Sequence, residues 1–553
     1  MTISLTPALR DKAFRWIADD VDVDSRAELQ NVLANAMGGA PGATEELADR
    51  MAGPLEFGTA GLRGPVRAGP NGMNVAVVTR TTAGVATWLN AQGKSGGVVV
   101  VGRDARHGSE AFAKAVAEVL TAAKFQVKVL PGPLPTPVLA FAVKQLGAVA
   151  GIQITASHNP PADNGYKLYD ETGAQIVPPA DGQIEQAIEA APAAVSVPRE
   201  PGATTLGDGL RDAYLAKVAA LPRTAERTLK VAATALHGVG AETLGKAFEL
   251  AGFRDLHQVS AQSTPDPDFP TVSFPNPEEP GATDLLLALA SEVDADLAIA
   301  LDPDADRCAL GLRDRDGSWR MLRGDETGVL LGEHILSTLD AMKSPNPLVA
   351  TTIVSSSMLG EIAKTHGAQY TETLTGFKWL ARSGENLVFA YEEALGVCVN
   401  PDFVRDKDGI AASVLACGFV AALKAAGKSP LDVLDELAVR HGVYVTDQVS
   451  LRVTDLSVRS RLMDGLRATP PTALAGTDVD LEDLMPEADV LRLRGEGLRV
   501  VVRPSGTEPK LKAYLQVIET VADAAGLAQA RAAAKDRLAA VRGELEALLA
   551  AEG

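Results

Sequence analysis

The sequence predicts an α/β fold with four domains: three α/β/α layered units with mixed sheets, followed by a C-terminal α+β domain. At about 150 residues per domain, a chain of 553 residues holds three or four domains. A strand, loop and helix order begins near residue 98 and begins again near residues 229 and 348, which is typical of α/β layers. From about Gly442 the pattern changes to alternating strands and one long amphipathic helix. We place the domains at residues 1–208, 209–322, 323–441 and 442–553.

Hydrophobic periodicity and turn residues give the individual elements. Residues 1–50 are predicted to be helical, as are residues 110–124 and 522–551. Strands are predicted at residues 98–101, 126–130, 149–155, 229–235, 296–301, 348–354, 443–453 and 498–502. The remaining predictions are a linker at residues 192–209, a structured proline-rich loop at 264–281, and loops at 375–378 and 391–396.

Composition excludes several classes of partner. The 52 Lys and Arg residues against 71 Asp and Glu residues give a net charge of −19, which disfavours nucleic acid. Three cysteines without CxxC spacing favour a reducing compartment. The first residues lack a signal-peptide pattern. The uncharged run at 409–423 is shorter than the roughly 20 residues of a bilayer span and predicts a buried helix. We therefore expect a soluble cytoplasmic protein with no membrane partner.

The main candidate nucleophile is Ser157, within the stretch Gly-Ile-Gln-Ile-Thr-Ala-Ser-His-Asn-Pro-Pro that begins at Gly151. The two prolines cannot continue the preceding strand, so Ser157 and His158 lie just past its carboxyl end. Ligands bind there in open α/β sheets. Lys167 follows after a short loop. A serine hydroxyl needs a base, a charged environment or a metal to act as a nucleophile. Taken alone, the motif is more typical of a simple Ser/Asn turn, and the other motifs of the chain favour the nucleophile.

Three alternating carboxylates, Asp302, Asp304 and Asp306, follow another predicted strand and can converge on one hard cation. An EF-hand loop also begins with this pattern, but it needs Gly at its sixth position and Glu at its twelfth. Arg307 and Arg313 occupy those positions, so the EF-hand is excluded. A Mg²⁺ ion that shares its coordination with a phosphate oxygen fits the pattern, and Arg307 could contact that phosphate. A solvated acidic turn is the alternative.

Several further stretches have the chemistry of phosphate and sugar binding, each with a plainer alternative. The segment from Arg503 to Thr507 offers a guanidinium, two hydroxyls and backbone donors around a glycine, or is a simple turn. Arg63 lies in a glycine-rich stretch that could approach a ligand or form an ordinary loop. Arg405 and Lys407 form a basic pair or an exposed helix cap. Glu392 and Glu393 could accept hydrogen bonds from sugar hydroxyls or remain solvated.

Taken together, these stretches resemble the α-D-phosphohexomutase family, the phosphoglucomutases and phosphomannomutases, from about residue 50 to residue 520. Four separate motifs occur in family order, at residues 155–160, 302–307, 391–396 and 503–509. With the additional stretches 57–63 and 164–167, the chain looks most like the phosphoglucomutase subgroup that includes phosphopentomutase-like members.

The resemblance implies a role for each matching residue. Ser157 would be the phosphorylated serine, and Asp302, Asp304 and Asp306 would bind one Mg²⁺ per chain together with its phosphate. Lys167, supported by His158 and Arg63, would lie in the proton-transfer neighbourhood. The matching substrate-binding residues are Thr375, Gly376, Glu392, Arg405, Lys407, Arg503, Ser505, Gly506 and Thr507.

The implied enzyme is an intramolecular phosphotransferase, an isomerase with four domains around one central cleft. It would interconvert glucose 1-phosphate and glucose 6-phosphate, and also mannose or pentose phosphates, through a phosphoserine and a bound sugar 1,6-bisphosphate. Glucose 1,6-bisphosphate would serve as activator, phosphorylated sugars would be the partners, and the protein would be a monomer or a homodimer. Ala394 departs from the family pattern, because many members have Ser there; this weakens the prediction of hexose selectivity.

Two alternatives to the mutase remain open at this point. One is a metal-dependent phosphatase that uses Ser157 as nucleophile, and the other is a phosphosugar-binding sensor without turnover. Lys167 adds a condition of its own. A free lysine has a pKa of about 10.4, so a basic role requires cations such as Arg63 to lower that pKa.

Overall fold

The computed structural model describes residues 5–56, 61–340, 342, 344–452, 456–505 and 510–552. Backbone contacts divide the chain into two compact units. Unit 1 comprises Met1–Pro222, Arg227–Met321 and Cys398–Cys417. Unit 2 comprises Arg223–Glu226, Leu322–Val397 and Gly418–Gly553. The segment Cys398–Cys417 thus packs with unit 1, although the sequence-based limits, which stay a prediction, place it in the third domain.

Unit 1 holds the first ten helices and eleven strands. Its helices are α1 (Pro7–Asp19), α2 (Val23–Met37), α3 (Ala43–Arg50), α4 (Val75–Ala91), α5 (Ser109–Ala122), α6 (Thr136–Gln145), α7 (Ala180–Glu189), α8 (Gly209–Ala219), α9 (Gly240–Ala251) and α10 (Asp284–Glu292). Its strands are β1 (Leu62–Pro65), β2 (Val98–Arg103), β3 (Gln126–Pro133), β4 (Ala150–Ile154), β5 (Asp163–Asp170), β6 (Thr204–Thr205), β7 (Lys230–Thr234), β8 (Asp255–Gln258), β9 (Leu297–Leu301), β10 (Cys308–Arg313) and β11 (Trp319–Met321).

The remaining elements follow in chain order. The helices are α11 (Gly324–Ser337), α12 (Met358–Thr365), α13 (Phe377–Leu380), α14 (Gly409–Ala425), α15 (Pro430–His441), α16 (Leu456–Ala468) and α17 (Leu527–Glu552). The strands are β12 (Leu348–Thr352), β13 (Gln369–Thr373), β14 (Leu387–Glu392), β15 (Gly396–Cys398), β16 (Val443–Arg452), β17 (Ala473–Leu474), β18 (Thr477–Asp478), β19 (Asp480–Asp483), β20 (Leu491–Gly495), β21 (Leu498–Pro504) and β22 (Lys510–Glu519).

The first sheet of unit 1 is mixed, as predicted. Its order is β1-β5-β4-β2-β3-β6, with β2 parallel to β3 and β4, and β5 antiparallel to β4 and β1. Every residue of β4 is buried, which explains its continuous apolar run, since a central parallel strand is covered on both faces. Its core partners include Val85 and Leu89 of α4 and Val116 and Leu120 of α5.

The second sheet of unit 1 repeats this arrangement. Its order is β11-β10-β9-β7-β8, with β7 parallel to β8 and β9, and β10 antiparallel to β9. All five residues of β9 are buried. The proline-rich stretch 264–281 contains no helix or strand, as predicted. Helices α1 to α3 precede the first sheet in sequence and pack around their own core of Ala13, Leu29, Leu33 and Leu47. This confirms the helical prediction for the described part of residues 1–50.

Unit 2 contains one α/β sheet and one antiparallel sheet. In the first, of order β13-β12-β14-β15, β12 is parallel to both β13 and β14. The second, of order β16-β22-β21-β20-β19, is antiparallel throughout. Helix α17 contacts β16 and β22 and buries Leu538, Val541 and Leu545 against Val500 and Val517. The predicted C-terminal α+β domain is confirmed.

Three local predictions were wrong. Residues 391–396 are not all loop, because Tyr391 and Glu392 end β14. The Tyr391 ring is closely packed, since a Cβ at Gly328 would lie 2.4 Å from it, and this packing favours strand geometry at Tyr391. Phe377–Leu380 forms helix α13 instead of a loop. The predicted linker 192–209 includes β6, which extends the first sheet by pairing with β3.

Helix α14 confirms the prediction of a buried helix, because residues 409–421 are all buried. Within the described ranges, no single helix has both the length and the apolar character needed to cross a membrane. Only α14 and α15 taken together meet that test by length and composition, and they are bent by 88° at the break between them.

Candidate active site

Four parallel strands of unit 1 carry the candidate site at their carboxyl ends. In the first sheet, β2 and β4 are adjacent and in register, with Arg103 opposite Ile154, so the loops that follow them emerge side by side. In the second, β7 and β9 are likewise adjacent. The loop after β4 holds Ser157 and the loop after β9 holds the three aspartates. This is the edge of a parallel sheet at which α/β proteins bind ligands.

Ser157 has a strained backbone and an engaged hydroxyl. Its φ angle is +51°, in the left-handed region that non-glycine residues rarely adopt. The backbone N–H donates to Thr155 Oγ1 at 2.9 Å. The hydroxyl donates to Asp302 Oδ2 at 2.6 Å, and His158 Nδ1 lies 3.3 Å from Ser157 Oγ. The candidate nucleophile of one sheet therefore touches both the acidic loop of the other and its own neighbouring imidazole.

The three aspartates converge as predicted. Their side chains are fully buried, and one carboxylate oxygen from each lies within 4.8 Å of the others. Asp304 Oδ1 and Asp306 Oδ1 are buried and accept no hydrogen bond from any residue in the described ranges. Buried polar atoms are normally satisfied, and carboxylate oxygens are the ligands that hard divalent cations prefer. The alternative of a solvated acidic turn is excluded, and the cluster fits a Mg²⁺ ion.

Buried cations balance part of this negative charge. Lys167 Nζ lies 2.6 Å from Asp304 Oδ2 and 2.8 Å from Asp306 Oδ2, and Lys407 Nζ lies 3.2 Å from Asp306 Oδ2. Burial alone would raise the pKa of Asp306, but these lysines and Arg307 hold it below its ordinary value. Burial, with Asp304 and Asp306 adding to it, raises the pKa of Asp302 well above its ordinary value. A raised pKa keeps a proton on Asp302, so the charged carboxylates of Asp304 and Asp306 are matched by Lys167 and Lys407. A divalent cation would bind the three carboxylates with release of the Asp302 proton.

The pKa of Lys167 is not lowered, as a role as a base would require. Burial and the neighbouring cations Lys407 and Arg63 act to lower its pKa, yet Asp304 and Asp306 outweigh them, and the pKa is raised. Lys167 lies on β5, opposite Gln153 of β4, and it is an ion-paired ammonium. His158 differs: burial first, and then Arg307 and Arg63, lower its pKa well below the ordinary value. Of the two, the imidazole is the group that is neutral at pH 7.

The other predicted residues of unit 1 surround this centre. Arg63, on β1, donates from Nη1 to Asn159 Oδ1 at 3.0 Å and so joins the Ser157 loop. The backbone N–H of Arg307 donates to Asp302 Oδ1 at 3.1 Å. Arg405 is half-buried in the loop before α14. The exposed-cap alternative for this basic segment is wrong in one respect: Asp408 caps α14 by accepting from Ala411 N at 2.9 Å, but it is buried.

The sequence pattern did not reveal all the supporting residues. The hydroxyl of Thr136, at the start of α6, donates to Asp304 Oδ2 at 2.6 Å. The Tyr169 hydroxyl donates to Asp406 Oδ2 at 2.8 Å and thereby ties β5 to the segment that carries Lys407. Arg106 donates to backbone carbonyls of the Ser157 loop. Arg106 stands in the Gly-Arg-Asp-Ala-Arg stretch after β2, and its position at a strand end was the one available signal.

Gly238, in the loop after β7, fixes the backbone of the acidic loop. A Cβ at this position would lie 2.3 Å from both the Cα and the carbonyl oxygen of Pro303, a contact with backbone that cannot be relieved by rotating a side chain. We expect Gly238→Ala to destabilise the protein by about 2 kcal/mol and to lower activity, measured as a fall in melting temperature and in kcat.

The matched control is Gly245→Ala in the interior of α9. There a Cβ would meet only the end of the Gln258 side chain, at 3.3 Å, and Ala is the better helix former by about 1 kcal/mol. A Gly238→Ala protein that melts at or above the temperature of the wild type would contradict the role of Gly238.

The predicted sugar-contacting residues lie in unit 2. Gly376, with φ +114°, precedes helix α13, and Thr375 Oγ1 beside it is buried without a hydrogen bond to the residues that the structure describes. Glu392 is buried at the end of β14. Its neighbour Glu393 accepts from Ser355 Oγ at 2.8 Å. The solvated alternative for this glutamate pair is therefore wrong.

The predicted phosphate clamp lies at the end of β21. Arg503 is half-buried near the end of this strand, and Ser505 follows it, donating from its backbone N–H to Lys510 O at 2.8 Å. Burial raises the pKa of Tyr514, Glu393 and Glu392 add to the rise, and a hydrogen bond with Arg503 opposes it. Within unit 2, Tyr514 therefore links the clamp to the glutamate pair. Gly506 and Thr507 lie outside the described residues, as does the stretch 57–60.

Glu393 predicts a pH dependence of stability. Burial, followed by repulsion from Glu392 and Asp325, raises its pKa from 4.5 to about 7. Between these values the folded protein binds more protons than the unfolded chain. The stabilising contribution is therefore complete below about pH 4.5 and is lost as the pH rises through about 7. We expect Glu393→Gln to remove on the order of 2 kcal/mol of this pH dependence, measured by unfolding from about pH 5 to about pH 8.

The control for this change is Glu361→Gln, because Glu361 is exposed on α12. It should leave the pH dependence of stability unchanged. Equal pH profiles for the wild type and Glu393→Gln would rule out the assignment to Glu393.

Comparison with known proteins agrees with this geometry. Four family models match in order: phosphoglucomutase/phosphomannomutase alpha/beta/alpha domains I, II and III at residues 54–194, 212–316 and 323–440, and the C-terminal domain of that family at residues 458–534.

Similar proteins have several names. A Haemophilus influenzae protein named "Probable phosphomannomutase" is 42% identical over 80% of this chain and 93% of its own length. A phosphopentomutase of Mus musculus is 33% identical over 93% of this chain and 91% of its own length. A phosphoglucomutase of Staphylococcus epidermidis is 32% identical over 86% of this chain and 92% of its own length.

Among solved structures, a phosphoglucomutase/phosphomannomutase family protein from Burkholderia thailandensis has the same fold. Its TM-score is 0.67 at 22% identity, over 88% of this chain and 97% of that one.

The fold and the matches define an enzyme that rearranges phosphate on a sugar, a phosphosugar mutase of the isomerase class. The family can be stated more narrowly. The chain belongs to the phosphoglucomutase/phosphomannomutase family, whose models cover residues from 54 to 534. The resemblance seen in the sequence motifs is thus confirmed.

Proposed function

We propose that this enzyme interconverts glucose 1-phosphate and glucose 6-phosphate through phospho-Ser157 and a bound glucose 1,6-bisphosphate. The observation that carries the proposal is the contact between Ser157 Oγ and Asp302 Oδ2 at 2.6 Å. It places a strained, buried serine against a cluster of carboxylates with unsatisfied oxygens. A Ser/Asn turn that only satisfies its own backbone would not require a buried carboxylate cluster beside the serine hydroxyl.

Asp302, Asp304 and Asp306 would hold one Mg²⁺, which when bound would offset the negative charge that gathers on oxygens during phosphoryl transfer. Their own contacts support this assignment. Lys167 and Thr136 both engage Oδ2 of Asp304 and leave its Oδ1 open. Asp306 has the same division, with Lys167 on Oδ2 and an open Oδ1.

The proposed reaction is two phosphoryl transfers that balance each other. In the first, a free sugar hydroxyl attacks phospho-Ser157; the bond between phosphorus and Ser157 Oγ breaks, and the hydroxyl proton moves through a nearby base to Ser157 Oγ. In the second, Ser157 Oγ bonds to the other phosphorus of the bisphosphate, the bond between that phosphorus and its sugar oxygen breaks, and the serine proton moves through a base to that sugar oxygen. His158 is placed to accept the Ser157 proton in that step, because its Nδ1 lies 3.3 Å from Oγ and its lowered pKa keeps it neutral. Lys167 serves as an ion-paired positive charge, not as the base.

The family resemblance supports the assignment of the substrate contacts. Arg307, Arg405 and Lys407 would contact the substrate, and Thr375, Gly376 and Glu392 would contact sugar hydroxyls. Arg503, Ser505, Gly506 and Thr507 would bind the phosphate that is not being transferred. A clamp for phosphate, rather than for the carbon that carries it, can serve both orientations of the bisphosphate.

Mannose and pentose phosphates are proposed as further substrates. The relatives include proteins named for mannose, pentose and glucose, and Ala394 supplies no hydroxyl next to Glu392.

The test is a coupled assay with glucose 1-phosphate, Mg²⁺ and a trace of glucose 1,6-bisphosphate, run in parallel with mannose and pentose 1-phosphates. We expect glucose 6-phosphate to form without release of inorganic phosphate, and kcat/KM to rank the three sugars. Release of free phosphate would replace the mutase with the phosphatase alternative. A lack of turnover on all three sugars would overturn the proposal.

A further inference from the structure

The guanidinium of Arg106 is attached to the backbone of the Ser157 loop at four points. Nη2 donates to the carbonyl oxygens of Ser157 at 2.7 Å and of Asn159 at 2.6 Å. Nη1 donates to those of Pro160 at 2.8 Å and of Asp163 at 3.0 Å. The side chain is almost completely buried. One side chain thus donates to three carbonyl groups of a loop that contains two consecutive prolines and forms no regular element, and to the first residue of β5.

Two residues contact Arg106, one close to it in sequence and one from the loop 264–281. Asp104, also buried, forms an ion pair with its Nε at 3.5 Å and accepts its backbone N–H at 2.9 Å. The ring of Phe269 lies 5.0 Å from the guanidinium carbon, a distance suited to a cation–π contact. Phe269 belongs to the proline-rich loop 264–281 and has φ +47°, which is strained for a bulky side chain.

Neighbouring hydrogen bonds stabilise the strained backbone conformation of Phe269. Its backbone N–H donates to Asp266 O at 3.2 Å, and Asp266 N donates to His237 O at 2.9 Å. His237 lies in the turn after β7, directly before Gly238, which packs on Pro303 of the acidic loop. A chain of contacts therefore runs from the Ser157 loop through Arg106 and Phe269 to the backbone that supports the three aspartates.

We infer that Arg106 is a positioning residue, which holds Ser157 in its left-handed conformation at a fixed place relative to the acidic loop, with Phe269 as its support. This role rests on the proposed function of Ser157. Arg106 touches only backbone carbonyls of the loop, so it acts on the reaction through Ser157. A planar guanidinium can donate to four carbonyls at once, whereas a lysine ammonium is a point charge with three donors.

The inference separates turnover from substrate binding. A displaced Ser157 loop misaligns the transferring group, and a misplacement of about 1 Å can cost about 100-fold in rate. The residues proposed to contact the sugar and the other phosphate remain unchanged. The rate of the transfer steps should therefore fall while the KM for the sugar phosphate is nearly constant.

The experiment compares Arg106→Lys with Arg199→Lys, a matched control whose arginine pairs with Glu118 of α5. We expect Arg106→Lys to lower kcat about 100-fold, with KM within about 3-fold of the wild type. We also expect faster hydrogen–deuterium exchange in peptides that cover residues 155–163 but not in those of α17. The control should change neither. Phe269→Leu keeps the four Arg106 hydrogen bonds but removes the ring, so we expect a smaller fall in kcat and a smaller rise in exchange at residues 155–163. This variant replaces Arg106→Lys in the test if Arg106→Lys does not fold.

The outcomes distinguish this inference from the proposed function. A folded Arg106→Lys protein with kcat within about 3-fold of the wild type, or with unchanged exchange at residues 155–163, would overturn the positioning role. If Ser157→Ala retained activity, the proposed function would fail, and the exchange measurement alone would then decide whether Arg106 holds the loop.

Discussion

Replacing Ser157 with alanine is expected to lower kcat by at least about 10⁴-fold, because the proposed mechanism passes every phosphoryl group through this hydroxyl. The fold should tolerate the change. Ser157 uses its side chain in a hydrogen bond to Asp302 and a contact with His158, whereas its backbone contacts, to Thr155 and Arg106, do not depend on the hydroxyl. We therefore expect the melting temperature to change little while turnover is lost.

The loss should be visible in the covalent state of the protein as well as in the rate. Incubation of the wild type with glucose 1,6-bisphosphate should add one phosphoryl group to the peptide that contains residue 157, and mass spectrometry should find none on Ser157→Ala. Ser263→Ala is the matched control, since Ser263 is a half-buried serine whose hydroxyl donates within its own turn, to Ser260 O. Activity above about a tenth of the wild-type value in a folded Ser157→Ala protein would exclude the phosphoserine route.

The positions of the nucleophile and the carboxylates were predictable because both follow short, wholly apolar strands. In β4 and β9 every residue is buried, which is the pattern of central parallel strands. Polar residues directly after such strands must lie at the carboxyl edge of the sheet. Ser157 and Asp302 could therefore be assigned to ligand-binding loops before any contact between them was known.

The partners of these residues could not be predicted in the same way. The Thr136 hydroxyl and its acceptor Asp304 are 168 residues apart in sequence, and Arg106 reaches a carbonyl 51 residues away. No local periodicity encodes such contacts, since they depend on how separate loops meet. The state of Lys167 shows the consequence: its pKa depends on whether cations or carboxylates surround it, and the structure places Asp304 and Asp306 within 3 Å of its Nζ.

The boundaries of the segments predicted to contact the sugar were wrong for a related reason. Glycine and glutamate near residues 376 and 392 suggested loops. The burial of Phe389 and Tyr391 extends β14 to Glu392, because tertiary packing outweighs local propensity. That Glu392 contacts sugar hydroxyls stays a prediction, although Glu392 lies at the end of a strand and not on a loop.

The second large effect is expected at the acidic cluster, where two substitutions of the same kind should behave differently. Asp306 pairs with both Lys167 and Lys407. Asp306→Asn leaves two buried ammonium groups with one fewer partner, and breaking a buried ion pair costs about 3 to 5 kcal/mol. Asp302 has no lysine partner in the described residues, and it lies beside two other buried carboxylates that repel it. Asp302→Asn should therefore leave the stability of the ion-free protein close to that of the wild type.

Both variants should nevertheless lose the response to Mg²⁺, since each removes one of three converging oxygen ligands. For the wild type, Mg²⁺ that binds only the folded state should raise the melting temperature, by an amount equivalent to about 2.7 kcal/mol at a hundred times the dissociation constant. A chelator should abolish activity, and added Mg²⁺ should restore it. In Asp302→Asn the rise in melting temperature should disappear, and kcat should fall about 10³-fold.

Asp316→Asn is the control, because Asp316 is an exposed carboxylate that caps its own turn through Ser318. It should keep both the Mg²⁺-dependent stabilisation and the activity. The stabilities of the two ion-free variants distinguish a loss of metal binding from a loss of folding. If the carboxylates bind a cation, Asp302→Asn separates loss of metal binding from loss of folding, and Asp306→Asn combines them. A normal Mg²⁺-dependent rise in the melting temperature of Asp302→Asn would show that Asp302 is not a metal ligand and would contradict the proposed three-aspartate site.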